Sequence, residues 1–272
     1  MSGIGSADDP LGRLGLAVRD IQRGLADWRL WTFLGKHDIH QRYRRSTLGP
    51  LWVALSVAVT VASIGFVWGA LFGLNAREFV PYLCLGTLVW NLVLGLANDG
   101  CQSFIAAQSY ITHTNRPVST YAFWVIWRNL LVAAHTLVVY VGVVVVFQLW
   151  PNENTLWVLP GFVVMLAATT WVVLLLGLVS ARFRDIPQII QSMLTVLFFV
   201  TPVIWKADQL GERVWLAHWN PLAHVIDLVR APLLGQPLAG FTWAMAIATA
   251  VVGWSVTFVL FARYRGRISY WL

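Results

Sequence analysis

Charged residues vanish from this sequence over six long intervals. Residues 46–76, 79–98, 129–152, 154–181, 186–205 and 231–262 contain no Asp, Glu, Lys or Arg, and apolar side chains dominate each. A charge at the centre of a membrane helix costs roughly 2.5–3.5 kcal/mol on insertion scales, and about 20 apolar residues cross the hydrocarbon layer. The pattern therefore predicts six transmembrane helices, over about 50–74, 79–98, 119–149, 157–180, 187–205 and 240–262. The third begins ahead of its charge-free interval and carries Arg128 in its first turns. A polar stretch, GCQSFIAAQSYITHTN, follows the second span. A mildly apolar segment broken by Pro221 and Pro232 follows the fifth and reads as short surface or re-entrant helices.

Composition supports lipid as the solvent. The chain of 272 residues is 58% hydrophobic and 11% charged, against about 25% charged in soluble domains. The net charge of +7 would raise nucleic acid as a partner of a soluble chain, but here the basic residues flank the apolar runs. Placing the N-terminus inside puts 15 Lys and Arg on the cytoplasmic side and 4 outside. That asymmetry predicts both termini in the cytoplasm. One membrane domain over 27–262 is expected, between cytoplasmic tails 1–26 and 263–272. The first 27 residues lack the apolar core of a cleavable signal. Two cysteines imply neither a disulfide framework nor a metal cluster.

Several features carry candidate chemistry. Residues 27–45 mix Trp28, Trp31, Phe33 and Leu34 with Lys36, Arg42, Arg44 and Arg45. This composition suits a helix lying in the inner interface, serving either as a topology anchor or as a dock for an anionic lipid. Gly65-x-x-x-Gly69-x-x-x-Gly73 lines one face of the first span. It admits close helix packing within the chain, or serves a subunit interface or pore. Sixteen tryptophans and many other aromatics fit the interfacial belts of membrane proteins or the lining of a passage, where sugar C–H faces stack on indole. Arg128, Asn129 and His135 in the third helix suit structural hydrogen bonds or a proton relay. No carboxylate sits mid-span, which disfavours a proton-coupled carrier. There is no G-x-x-x-x-G-K-[ST] phosphate loop: Gly35-Lys36 lacks both the earlier glycine and the following Ser or Thr.

The order of motifs resembles a known family. RYRRSTLGPLW (42–52) ends the interfacial segment, TNRPVS (114–119) ends the polar stretch, and RFRDIPQII (182–190) precedes TPVIW (201–205). NPLAHVIDLVRAPLLG (220–235) and RYRGRISYWL (263–272) complete the series. This order is similar to the permease subunits of bacterial ABC-2 exporters for O-antigen and capsular polysaccharide, the Wzm-like proteins, although TNRP stands where many relatives carry a Lys-rich run. The resemblance implies an all-α membrane protein of the inner membrane, working as a homodimer with two copies of a separate ATPase that holds ATP and Mg. This chain would bind no cofactor or metal itself. It implies export of undecaprenyl-pyrophosphate-linked glycan, with the pyrophosphate docking on Arg42, Arg44 and Arg45. Coupling to the ATPase would use a helix containing Gln108, Ser109, Tyr110, Thr112, His113 and Arg116, and a second contact at Arg182, Arg184 and Asp185. Trp68, Phe72, Trp90, Trp124, Phe198 and Phe199 are passage candidates. Trp215, Trp219, Asn220 and Pro221 would form the periplasmic gate. Competing readings are export of teichoic acid, a drug or another lipid, and a lipid-linked glycosyltransferase built on Asp208, Glu212, His218, His224 and Asp227.

Overall fold

A computed structural model describes residues 10–44, 46–49 and 51–272. The described residues are helical and contain no strand. Among the described residues, five helices are long and apolar enough to cross a membrane: α3 (Leu51–Phe72), α4 (Ala76–Ala106), α6 (Ser119–Phe147), α7 (Val158–Arg182) and α11 (Gly240–Tyr264). Shorter helices surround them: α1 (Pro10–Ala26), α2 (Trp28–Arg42), α5 (Gln108–His113), α8 (Ile186–Val200), α9 (Trp215–His218), α10 (Pro221–Leu233) and α12 (Ile268–Trp271).

The core is organised around α4, which packs against α3, α6, α7, α8 and α10. Most of its side chains are buried, including Phe79, Leu83, Leu96 and Phe104. It outruns the expected span by eight residues, from Asn98 to Ala106, because the charge that was read as its end is neutralised. Asp99 pairs with Arg128 at 3.0 Å and accepts a hydrogen bond from Asn129 at 2.9 Å. The outer pair α7 and α11 is held by Trp254 Nε1 donating to the Ala167 carbonyl at 2.9 Å.

The glycine row of α3 is used unevenly. A Cβ on Gly65 would press on Val80 of α4 at 3.1 Å, whereas Gly69 meets only ordinary contact. Gly73 follows the last turn at φ +62°, the left-handed conformation that ends helices and favours glycine.

Two expected boundaries change for physical reasons. The fifth apolar interval is helical only to Val200, and its 15 residues rise about 22 Å, short of the hydrocarbon layer. Pro202 disfavours helical geometry at the residue before it, and Thr201 is extended at φ −90°, ψ 137°. Residues 201–205 therefore form a turn rather than the last turn of a span, and Val203 and Ile204 are buried. At the start of the chain, part of the segment read as a tail is helix α1. Ala17, Asp20 and Gly24, spaced on one face, are buried where α1 packs on α6 and α11. Asp20 accepts from the backbone N–H groups of Val118 (3.4 Å) and Ser119 (3.1 Å) and meets Arg265 at 3.3 Å. A carboxylate at these free N–H groups suits the positive end of α6. Leu14, Val18 and Leu25 stay exposed along one side, an apolar outer face fit for a headgroup layer.

The basic segments gather at one end. There α1 reaches Arg265, Arg116 pairs with Asp27 at 3.2 Å, and Gln108 donates to the Leu272 carbonyl at 2.6 Å. At the opposite end, Asn152 and Asn154 both donate to the Gly235 carbonyl at 2.9 Å, and Lys206 faces Glu78 at 3.4 Å.

Candidate functional site

A groove of about 690 Å³ runs along α4, with α3 and α6 on one side and α8 on the other. Its floor is a polar stripe on α4. Thr87, Asn91, Gly95 and Asn98 recur at helical spacing and share one face. Ser56 and Thr60 from α3, Thr136 from α6 and Thr195 from α8 face them. Apolar and aromatic side chains form the rest of the wall. Trp90 meets Phe198 at 5.6 Å between centroids, and Phe198 meets Phe199 at 5.4 Å edge-on. Hydroxyls and amides beside aromatic faces suit a polyhydroxylated ligand better than a lipid tail.

At its basic end the groove is framed by ions. Arg128 bridges Asp38 of α2 at 2.8 Å and Asp99 of α4 at 3.0 Å, so one guanidinium ties three helices together. Asn129 completes the node by donating to Asp99 and to the Val125 carbonyl. Its amide lies so close to Gly95 that any Cβ there would collide with Oδ1. Arg128 is thus already compensated by two carboxylates. Arg42 also lines the groove and forms no ion pair among the described residues. It is therefore the cation available to an anion entering there. Arg44 lies outside the groove, beside Lys36, His40 and Tyr43 in a separate hollow. Arg45 lies outside the described residues.

The basic face presents the expected coupling segment as a discrete helix. Gln108, Ser109, Tyr110, Thr112 and His113 of α5 are all exposed. Tyr110 anchors α5 by stacking on Tyr121 at 6.1 Å and meeting Trp124 edge-on at 6.4 Å. Arg116 is exposed and paired with Asp27. The α7–α8 turn places Arg182, Arg184 and Asp185 on the surface at the same end. Arg182 lies over Trp271 at 5.3 Å, and Arg184 donates to the Trp271 carbonyl at 3.5 Å. The last helix thus touches both expected contacts with a partner, a link that sequence reading missed.

The passage candidates divide. Trp90, Phe198 and Phe199 line the groove. Trp124 does not: it packs under α5 against Tyr110, outside the groove lining. Trp68 and Phe72 meet in a tilted pair at 5.4 Å between centroids near the far end of α3, away from the groove lining. His135 bonds to the Leu131 carbonyl one turn back at 2.6 Å, a structural bond.

At the opposite end, Trp215 and Trp219 are exposed, while Asn220 is buried. Asn220 caps α10 by accepting from Leu222 N–H and donates to Thr201 Oγ1 at 3.1 Å; Pro221 takes the first helical position. Behind them stands an ion node that sequence reading counted only as charge. Arg230, 2% exposed, donates to Asp227 at 2.6 and 2.8 Å and to the Pro202 carbonyl at 2.6 Å, with its guanidinium 3.9 Å from the Tyr82 ring centroid. Tyr82 donates toward the carbonyls of Pro202 and Trp205, both at 3.1 Å. His224 meets the His218 carbonyl at 2.8 Å and Thr242 at 3.3 Å. Asp227 and His224 are therefore committed to structure, and among the described residues no three His, Cys, Asp or Glu gather as metal ligands.

Comparison with known proteins agrees with this architecture. The chain is 24% identical over 225 residues to an O-antigen export system permease protein RfbA of Klebsiella pneumoniae, covering 80% of this chain and 87% of the relative. It is 21% identical over 235 residues to an RfbA of Myxococcus xanthus, covering 85% and 90%. It is 18% identical over 201 residues to the polysialic acid transport protein KpsM of Escherichia coli, covering 72% and 78%. Residues 29–234, from the interfacial helix through α10, match the family model described as ABC-2 type transporter, and the chain belongs to that family.

Proposed function

We propose that this chain is the membrane half of an ATP-driven exporter that carries a polysaccharide, linked to undecaprenyl pyrophosphate, across the bacterial inner membrane. The observation that carries the reading is the groove: a polar stripe on α4 facing an aromatic wall, with an uncompensated arginine at its basic end. Relatives named for O-antigen export and for polysialic acid transport support polysaccharide as the cargo class. The excess of Lys and Arg at the end carrying α1, α5 and α12 supports that end as cytoplasmic.

In this reading Arg42 receives the pyrophosphate at the inner leaflet, with Arg44 and Arg45 adding to the local positive field. The glycan follows along the hydroxyls and amides of the groove, sliding over Trp90, Phe198 and Phe199. A second copy of the chain closes the groove. The separate ATPase, which holds ATP and Mg, pushes on α5 and on the α7–α8 turn. The exposed faces of Gln108–His113 and of Arg184 and Asp185 suit that contact. Trp215, Trp219, Asn220 and Pro221 form the outer gate.

Each basic residue near an anionic surface contributes about 1 kcal/mol, or roughly fivefold in affinity. Changing Arg42, Arg44 and Arg45 to Gln is therefore expected to lower glycan export at least fivefold while the complex with the ATPase still co-purifies. Unchanged export from an assembled triple variant contradicts the docking role.

A further inference from the structure

A second cavity lies apart from the groove, at the basic end between α7, α11 and α12, and shares no lining residue with the groove. It measures about 310 Å³. Arg182 and Arg267 stand at its mouth, both exposed, and neither forms an ion pair among the described residues. Leu178, Val179 and Leu260 make an apolar wall one to two turns deeper into the membrane helices. Arg182 and Tyr264 end α7 and α11, so the cavity opens where these two apolar helices give way to the basic end of the molecule. Carbonyl ends of two helices favour cations there. That favour explains why the arginines sit at this level, and leaves unexplained an open cavity with an apolar wall between them.

We propose that this cavity is a binding site for an anionic phospholipid of the inner leaflet. The phosphate sits between Arg182 and Arg267, and an acyl chain runs along Leu178, Val179 and Leu260. A basic pocket between membrane helices on the cytoplasmic side is matched in charge and shape to such a headgroup. The site commits to bilayer phospholipid because the apolar wall has no use for free phosphate and the groove's lipid-linked cargo lies along other helices. The bound lipid bears on coupling through α12. Trp271 forms part of the cavity wall, lies under Arg182 and accepts from Arg184, while Leu272 accepts from Gln108 of α5. Filling the cavity holds α12 against both surfaces that face the ATPase. The lipid site itself does not depend on the transport reading.

The test uses the full chain in detergent, titrated with phosphatidylglycerol, with phosphatidylcholine or with inorganic phosphate, and reads lipid retention by native mass spectrometry. Phosphatidylglycerol is expected to be retained in preference to phosphatidylcholine, and millimolar phosphate is expected not to displace it. The Arg182→Gln, Arg267→Gln double variant should bind phosphatidylglycerol about 25-fold more weakly, roughly fivefold for each arginine. Arg213→Gln, at the opposite end, should match the parent. Because Arg182 also packs on Trp271, the Arg182→Lys, Arg267→Lys pair is the second variant, and retention within about fivefold of the parent is expected since both charges remain. Equal retention of the two lipids, displacement by phosphate, an unaffected Gln pair, or a Lys pair as weak as the Gln pair overturns the proposal.

Discussion

Replacing Arg128 with leucine is expected to abolish export and to destabilise the folded chain by about 3 kcal/mol. Its guanidinium lies between Asp38 and Asp99 at 2.8 and 3.0 Å and is largely shielded, with 16% of the side chain exposed. Removing it leaves two carboxylates facing each other near the hydrocarbon boundary, where an unpaired charge is costly. The same loss uncouples α2 from α6 and α4, so the basic mouth of the groove loses its frame. Asp38→Asn removes one of the two contacts and is expected to cost about 1 kcal/mol, because Arg128 keeps Asp99. Changing Arg128, Asp38 and Asp99 together to leucine removes every unpaired charge and is expected to recover most of the stability without recovering export. Thermal melting of the purified protein, read beside surface glycan in cells, checks all three. An Arg128→Leu protein that melts with the parent contradicts the bridging role.

The second large effect is expected at the other end. Arg230→Leu should cost about 3–5 kcal/mol and loosen the outer segment. Arg230 is 2% exposed and supplies hydrogen bonds to Asp227 and to the Pro202 carbonyl while covering the Tyr82 ring. It thereby holds the 201–205 turn, α10 and α4 together. Lysine is expected to fail as a substitute, since one ammonium cannot bridge Asp227 and Pro202 and also lie flat on the ring. Tyr82→Phe keeps the ring and loses only the bonds to Pro202 and Trp205, so about 1 kcal/mol is expected. Denaturant melting ranks the three. In vesicles, Arg230→Leu should also leak small solutes that the parent retains, and a sealed variant would separate the node from gating.

The all-α membrane architecture was legible because lipid punishes charge, so missing charges mark the apolar helices. Where a charge is neutralised by a distant partner, that signal misleads. Asp99 reads as a helix end, yet α4 continues to Ala106 because Arg128 and Asn129, about 30 positions away, satisfy it. The interval 186–205 reads as a span because Val203 and Ile204 are apolar. They are apolar because a turn set by Pro202 is buried, and only the restriction that proline places on Thr201 hinted at it. Helix α1 was missed because its buried face contains Asp20, which looks like a solvent residue until Ser119 and Arg265 are brought beside it.

The groove was half legible. Thr87, Asn91 and Gly95 recur every four residues on α4 and would have marked a polar face, whereas aromatic content alone could not separate Trp90 from Trp124. The basic triplet 42–45 was visible as charge. That Arg42 turns to the groove and Arg44 away from it depends on how α2 packs on α6, which local sequence does not encode.

The most direct test of the central claim is transport by the purified chain in sealed vesicles, with and without its co-purified ATPase, using an undecaprenyl-pyrophosphate-linked polysaccharide and a label that reports glycan reaching the opposite face. ATP-dependent movement is expected only when both proteins are present, and it should be lost when the partner's ATP hydrolysis is blocked. Movement driven by this chain alone, or an assembled complex that hydrolyses ATP yet leaves the glycan where it started, would contradict the claim.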